Sequence, residues 1–160
     1  MFTYDKKNNP IIKQEVMVSY EASMGETVHT VLQGLKERKL LGCKCSKCKR
    51  VLFPARTFCS RCFIEINNFV ELSTEGTLVN WAYTSYEFFG MPVTPPYISG
   101  QIRLDGVDGN IFHLIGGFDI SDIEKCREIL SPEVRLKAVW EENTQGCIMD
   151  IKYFKPEIQV

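Results

Sequence analysis

Residues 45–62 read CSKCKRVLFPARTFCSRC. Two C-x2-C pairs, Cys45–Cys48 and Cys59–Cys62, stand ten residues apart. A C-x2-C knuckle turns the chain so sharply that its two thiolates converge on one point. Two knuckles on facing hairpin turns complete the tetrahedron that four-coordinate Zn²⁺ takes. The spacer, KRVLFPARTF, is long enough for a strand and a return. The spacing predicts a metal site with Cys45, Cys48, Cys59 and Cys62 as ligands. Four protein ligands leave no open coordination position, so the zinc is expected to be structural. Rubredoxin-like iron is the metal alternative, because iron takes the same four thiolates. A redox dithiol is weaker, since that use pairs one C-x-x-C with a βαβ unit.

The remaining cysteines are Cys43, Cys126 and Cys147. Cys43 has the wrong spacing for the knuckle and is expected to pack in the strand entering the ribbon. Cys126 and Cys147 read as core residues. An odd total of seven, behind a polar start (MFTYDKKNNP), argues against a disulfide framework and for the cytoplasm.

The 160 residues suit one ordinary domain or two small ones, and 44% hydrophobic composition excludes wholesale disorder. No apolar run approaches the roughly 20 residues that span a bilayer, so no membrane partner is expected. The net charge is −1, but it is unevenly spread. Residues 36–61 hold nine basic side chains and one acid, formally +8, which leaves −9 for the rest. Four thiolates around a zinc add about −2 to the ribbon. Positive potential focused on one module is an anion-binding feature. Compensating charge on a solvated face is the plainer reading; phosphates of nucleic acid or of a nucleotide-like cofactor are the functional ones. Phe53, Phe58 and Phe63 could stack on bases. Such residues more often fill the small core of a zinc module, and Phe53 is assigned there.

Residues 1–22 read as an extended arm. Ser23-Met-Gly-Glu26 fits a capping box, and apolar residues then recur at helical spacing over 24–38, with Gly34 as a weak point. From 69 onward the chain reads as strands. Thr77–Phe88 is long and aromatic-rich, and Phe89–Pro96 cannot sustain a ladder because of its prolines. Tyr97–Leu104 and Ile111–Phe118 flank the turn Asp105–Asn110. Ser121-Asp-Ile-Glu124 fits a second capping box, opening a helix to Leu130 that Pro132 stops. Val134–Glu141 and Cys147–Phe154 form a last hairpin. About five strands, with a helix ahead of the last pair, predict a mainly β chain: an N-terminal helix and zinc ribbon, then a small OB-fold Greek-key barrel. The expected division is 1–38 arm and helix, 39–66 ribbon, 67–160 barrel.

No Gly-rich phosphate loop, G-x-S-x-G or H-E-x-x-H occurs. His29 is expected at the surface. His113, opposite Phe112 and Leu114, reads as a solvent-side or interface residue. A Cys126–His113 nucleophile pair is conceivable, but nothing brings the two together. No catalytic residue is assigned, and the chain reads as a binding or accessory module.

The order of features is informative. A helix leads to Cys45-x2-Cys48, Phe53-Pro54-x-Arg56 and Cys59-x2-Cys62, then to Glu71-Leu-Ser-Thr-Glu-Gly-Thr77 entering a long strand. Pro96-Tyr97, Leu104-Asp105-Gly106 and Tyr153-Phe154-x-Pro156 follow. Over about residues 24–156 this resembles the acyl-CoA-associated OB-fold proteins with an N-terminal rubredoxin-like zinc ribbon, long labelled a domain of unknown function. The chain departs from them at Ala55, where a second proline is usual, and at Lys49, where glycine is usual. Its helix Asp122–Leu130 is longer than the usual connection.

The resemblance implies a non-catalytic accessory subunit of a thiolase-fold enzyme: a thiolase, a retro-aldolase or a hydroxymethylglutaryl-CoA synthase type. The two would form a hetero-oligomer in which this chain helps bind or gate the CoA ester. The small subunit of benzoylsuccinyl-CoA thiolase in anaerobic toluene degradation is one assignment it allows. Coenzyme A carries a diphosphate and a 3′-phosphate, which Arg and Lys recognise. Arg56, Arg50, Arg61, Lys47 and Lys49 are the expected contacts, Arg56 foremost. Phe88, Phe89, Met91 and Val93, on a loop that cannot pair in a sheet, are the expected partner contacts. The alternative is a single-stranded nucleic-acid binder of OB and zinc-ribbon type, disfavoured by the acidic barrel.

Overall fold

The computed structural model describes residues 3–12, 16–91, 93–131 and 133–157. The expected helix stop at Pro132 lies outside them. The arm opens with a small antiparallel hairpin, β1 (Thr3–Tyr4) and β2 (Pro10–Ile11), where only extended chain was expected. From residue 16 through Met24 there is no regular structure, and Val16, Met17, Val18 and Tyr20 are exposed.

Helix α1 (Gly25–Lys36) buries Val31, Gly34 and Leu35. The expected capping box at Ser23 does not form. Met24 occupies the N-cap without a side-chain bond, and Gly25, at φ +70°, turns the chain into the helix. Glycine adopts that conformation without the penalty other residues meet. Gly34 also has a packing reason: a Cβ there would lie 2.7 Å from the Leu41 side chain.

Strands β3 (Leu40–Lys44), β4 (Val51–Leu52) and β5 (Phe69–Leu72) form one antiparallel sheet in the order β4-β3-β5. This is the ribbon sheet. The expected ribbon boundary at residue 66 falls just ahead of its last strand.

The barrel consists of β6 (Glu75–Thr84), β7 (Tyr97–Leu104), β8 (Ile111–Ile115), β9 (Arg135–Trp140) and β10 (Ile151–Pro156). It closes in the order β10-β8-β7-β6-β9, with β10 also paired to β9. All neighbours are antiparallel except β8 and β10. That is the five-stranded Greek-key topology of an OB barrel. Helix α2 (Ile123–Ile129) lies between β8 and β9. Its cap is Asp122, whose carboxylate accepts the Glu124 N–H at 3.0 Å, and not Ser121.

Alternation along the strands sets the core. Ile98, Ile102 and Leu104 of β7 and Ile111 and Ile115 of β8 point inward. They pair as Ile98–Ile115 and Ile102–Ile111, which places Gly100 opposite His113. The inward set of β8 is therefore Ile111, His113 and Ile115. His113 is buried at 8% exposure and Phe112 is 74% exposed, the reverse of the expected faces. Each face of β8 carries two apolar residues, and the one that turns inward is the one whose Ile111 and Ile115 pair with the buried Ile102 and Ile98 of β7, because a strand can commit only one face to the core. The β7 position opposite His113 carries no side chain, and the side chains of Ile115 and Leu78 fill the space that a Cβ would take there.

The main core is continuous between modules. Val31 and Leu35 of α1, Leu40 of β3 and Phe53 from the ribbon spacer join Leu78, Leu136, Ile151 and Phe154 of the barrel. Phe53 is a core residue as expected. A second cluster, Cys43, Cys45, Cys59 and Ile66, lies inside the ribbon. Cys126 is buried, as expected. Cys147 is exposed and sits in no strand: it caps a 3-10 turn, Ile148–Asp150, ahead of β10.

Candidate functional site

The two cysteine knuckles repeat one backbone pattern. In the first, the Cys45 N–H donates to the Arg50 carbonyl at 2.9 Å and the Lys49 N–H to the Cys45 carbonyl at 3.0 Å. In the second, Cys59 donates to Ile64 at 2.9 Å and Phe63 to Cys59 at 2.8 Å. The residue after each second cysteine is left-handed: Lys49 at φ +63° and Phe63 at φ +55°. Glycine is the relaxed residue for that conformation. That marks Lys49 and Phe63 as strained, at about 1 kcal/mol each.

The sulfurs of Cys45, Cys48, Cys59 and Cys62 all lie within 4.8 Å of one another, and those of Cys48 and Cys59 are 3.7 Å apart. A zinc–sulfur bond of about 2.3 Å gives a tetrahedral sulfur–sulfur edge of about 3.8 Å. The four cysteines therefore fit a tetrathiolate zinc. Among the described residues no other group of three or more ligand-type side chains gathers this way. The thiols differ before metal charge is considered. The Cys48 backbone N–H, with smaller help from Lys47 and the neighbouring thiols, pulls Cys45 down to about 6 despite burial. Burial, then the three neighbouring thiols, pushes Cys62 up to about 12. A bound dication holds all four as thiolates.

Cys43 is not a ligand, but it has a task. Its Sγ accepts the Arg56 N–H at 3.2 Å and lies 3.4 Å from the Arg56 carbonyl, as a donor to it. The backbone of Arg56 is thereby pinned beneath an exposed guanidinium. Spacing alone shows Cys43 as a spare cysteine, because this link crosses from β3 to the spacer.

The other expected cationic contacts separate into two kinds. Lys47 and Arg61 are exposed on the two knuckles. Lys49 is exposed, with its ammonium donating to the Ser46 carbonyl at 2.6 Å. Arg50 turns toward the barrel: its Nη2 donates to the Asp108 carbonyl at 3.3 Å and its Nε lies 3.9 Å from the Asp108 carboxylate. Phe58 and Phe63 are exposed, at 58% and 84%, and fill no core.

The loop after β6 presents Phe88 and Phe89 outward, Phe89 fully. Met91 is half-buried, and its sulfur accepts the Phe88 N–H at 3.3 Å, closing the turn. Val93 lies in the wall of a cavity on the barrel face, which neither phenylalanine lines.

His113 is buried, with its ring edge-on to Phe154, and also borders a cavity on the β7–β8 face. Its Nε2 lies 3.2 Å from the Ile148 carbonyl, which can only accept, so Nε2 carries the proton. Nδ1 is buried and has no hydrogen-bond partner. Burial lowers the ring's pKa, so the imidazole is neutral. His29 is exposed, as expected.

Residues 32–66 match the family described as ChsH2, rubredoxin-like zinc ribbon domain. Two solved structures share the fold over most of the chain. One is a DUF35-family protein of unknown function from Sulfolobus solfataricus, with a TM-score of 0.59 and 22% identity. That alignment covers 84% of this chain and 87% of that one. The other is the Ltp2-ChsH2(DUF35) aldolase, with a TM-score of 0.63 and 15% identity, over 86% of this chain and 100% of that one. No curated protein matches the chain. Residues 32–66 are thus similar to a ChsH2-type zinc ribbon, and the chain as a whole shares with the two DUF35 structures the fold of a four-cysteine ribbon joined to a closed OB barrel.

Proposed function

We propose that this chain is a non-catalytic accessory subunit of a thiolase-type acyl-CoA enzyme, bound to a thiolase-fold partner in a hetero-oligomer. The carrying observation is the union of a ChsH2-type ribbon with an OB barrel, the fold also seen in the Ltp2-ChsH2 aldolase. The side-chain inventory supports it. The buried histidine is neutral, and Cys126 is a core thiol raised by burial.

In this reading the ribbon helps hold the CoA ester shared with the partner. Arg56, on its pinned backbone, is the foremost phosphate contact, with Arg61, Lys47 and Lys49 beside it in sequence. Arg50 contributes less, because Asp108 already engages it. The loop bearing Phe88, Phe89, Met91 and Val93 meets the partner. The reaction, the acyl group and the benzoylsuccinyl-CoA assignment follow from the partner's identity.

The test is co-expression of the tagged chain with a neighbouring thiolase-fold gene. The enzyme is expected to co-purify, and recovery of this chain alone would count against the reading. In the complex, Arg56→Ala is expected to raise KM for the CoA ester about tenfold, roughly the loss of one charge-assisted hydrogen bond. Unchanged KM would remove Arg56 from the site.

A further inference from the structure

The outward face of β7 and β8 carries a cavity of about 270 Å³. Tyr97, Ser99, His113 and Leu114 line it from the strands, Val93 from the loop after β6, and Ile148 and Met149 from the 3-10 turn. Phe112 forms one wall and is shared with a smaller cavity of about 130 Å³ beside Asn80, Trp81 and Gln101. Phe112, Ile148 and Met149 remain exposed, at 74%, 43% and 48%. Three separate chain segments thus bring large apolar side chains to one spot without covering it.

Neither cavity has a charged residue in its lining, since His113, which borders the larger one, is neutral. The cavities elsewhere on the barrel do: Glu128, Glu133, Arg135 and Glu157 in one, Lys137, Lys155 and Glu157 in another. An uncharged apolar hollow favours neither phosphate nor a free nucleotide. About 150 Å³ of apolar space accepts a benzene-sized group, so this hollow accepts a large branched or aromatic side chain. An aromatic rim around a pocket is the form of an interface anchor.

We infer that this β7–β8 face is a protein-docking surface whose occupant is an uncharged segment of the thiolase-fold partner, one apolar side chain of which fills the cavity behind Phe112. The inference rests on the proposed function and moves the centre of the interface from the phenylalanine loop to the barrel face. Val93 joins the two regions.

The experiment compares recovery of the co-expressed thiolase-fold enzyme by the wild-type chain, F112D, M149D and, on the remote helix α2, E128K. F112D and M149D are expected to lower recovery at least tenfold, and E128K to leave it unchanged, with zinc content constant in all. F112S replaces F112D if the latter lowers Tm. Wild-type recovery from both cavity variants would overturn the docking surface and leave the proposed function standing. No recovery by the wild-type chain would overturn both. A dimer of the isolated chain in sedimentation that F112D dissociates would assign the face to a second copy and overturn the inference.

Discussion

Asp150 illustrates how one residue organises a chain segment. It is buried at 3% exposure, and its carboxylate accepts backbone N–H groups from Gln145 at 2.9 Å, Gly146 at 2.7 Å and Cys147 at 3.0 Å. The turn it holds is bound to α1 and the residues just after it. Thr144 donates to the Lys36 carbonyl at 2.7 Å, and Arg38 donates to the carbonyls of Glu141 and Glu142. Asp150→Ala leaves three amides without an acceptor and is expected to cost about 2–3 kcal/mol by urea unfolding. Burial raises the Asp150 carboxyl, but the three amides outweigh it and hold the pKa below the ordinary carboxylate value. A lowered folded pKa contributes stability above the unfolded value, and that stability is lost as pH falls through the folded one. The difference between wild type and Asp150→Ala is therefore expected to be constant from neutral pH to about 5 and to shrink below about 4. A difference that persists undiminished in acid would exclude the carboxylate as its source. In sequence Asp150 is one acid among 20, because its partners are backbone amides that no side-chain pattern records.

Two elements carry separate expectations. The Gly76-Thr77 entry to β6 marks a close approach: a Cβ on Gly76 would lie 2.5 Å from the Arg103 carbonyl oxygen on β7. Backbone cannot yield as a flexible side chain does, so Gly76→Ala is expected to cost about 2 kcal/mol or more by thermal unfolding. An unchanged Tm would show that β6 and β7 can separate there. The ribbon depends on its metal. Cys59→Ser removes one of four ligands and is expected to abolish stoichiometric zinc and the amide-exchange protection of β3, β4 and β5. Retained protection with zinc lost would mean that the apolar cluster around Cys43 and Ile66 alone holds the ribbon.

For the whole molecule, the contact between modules decides how the ribbon is presented. Asp108, in the β7–β8 turn, accepts the Val51 N–H at 2.9 Å through its carboxylate and donates its own N–H to the Val51 carbonyl at 2.7 Å. Arg50 adds a long, half-exposed ion pair. Asp108→Ala is expected to cost only about 1 kcal/mol, since the pair is solvent-screened, while zinc binding is unchanged. Hydrogen exchange in β4 is the measure; unaltered exchange would show that the shared core of Leu40 and Phe53 suffices to dock the ribbon. No helix among the described residues is long and apolar enough to cross a membrane.

The sequence by itself determined the metal ligands, the ribbon and the barrel class. Their signals are local: fixed cysteine spacing, alternating strands, and turn residues between them. It also placed Phe53, Cys43 and Cys126 in packed interiors, because each sits in a segment whose pattern is clear. Only the tertiary structure decided which face of β8 turns inward, since that depends on Ile98 and Ile102 across the ladder. The same holds for Cys147, which a nearby carboxylate draws into a turn, and for the entry to α1, which Gly25 makes in place of Ser23. The uncharged hollow around Phe112 is the clearest case. Its walls come from residues 93, 97 and 99, 112 to 114, and 148 and 149, and no linear reading brings those together before the barrel closes.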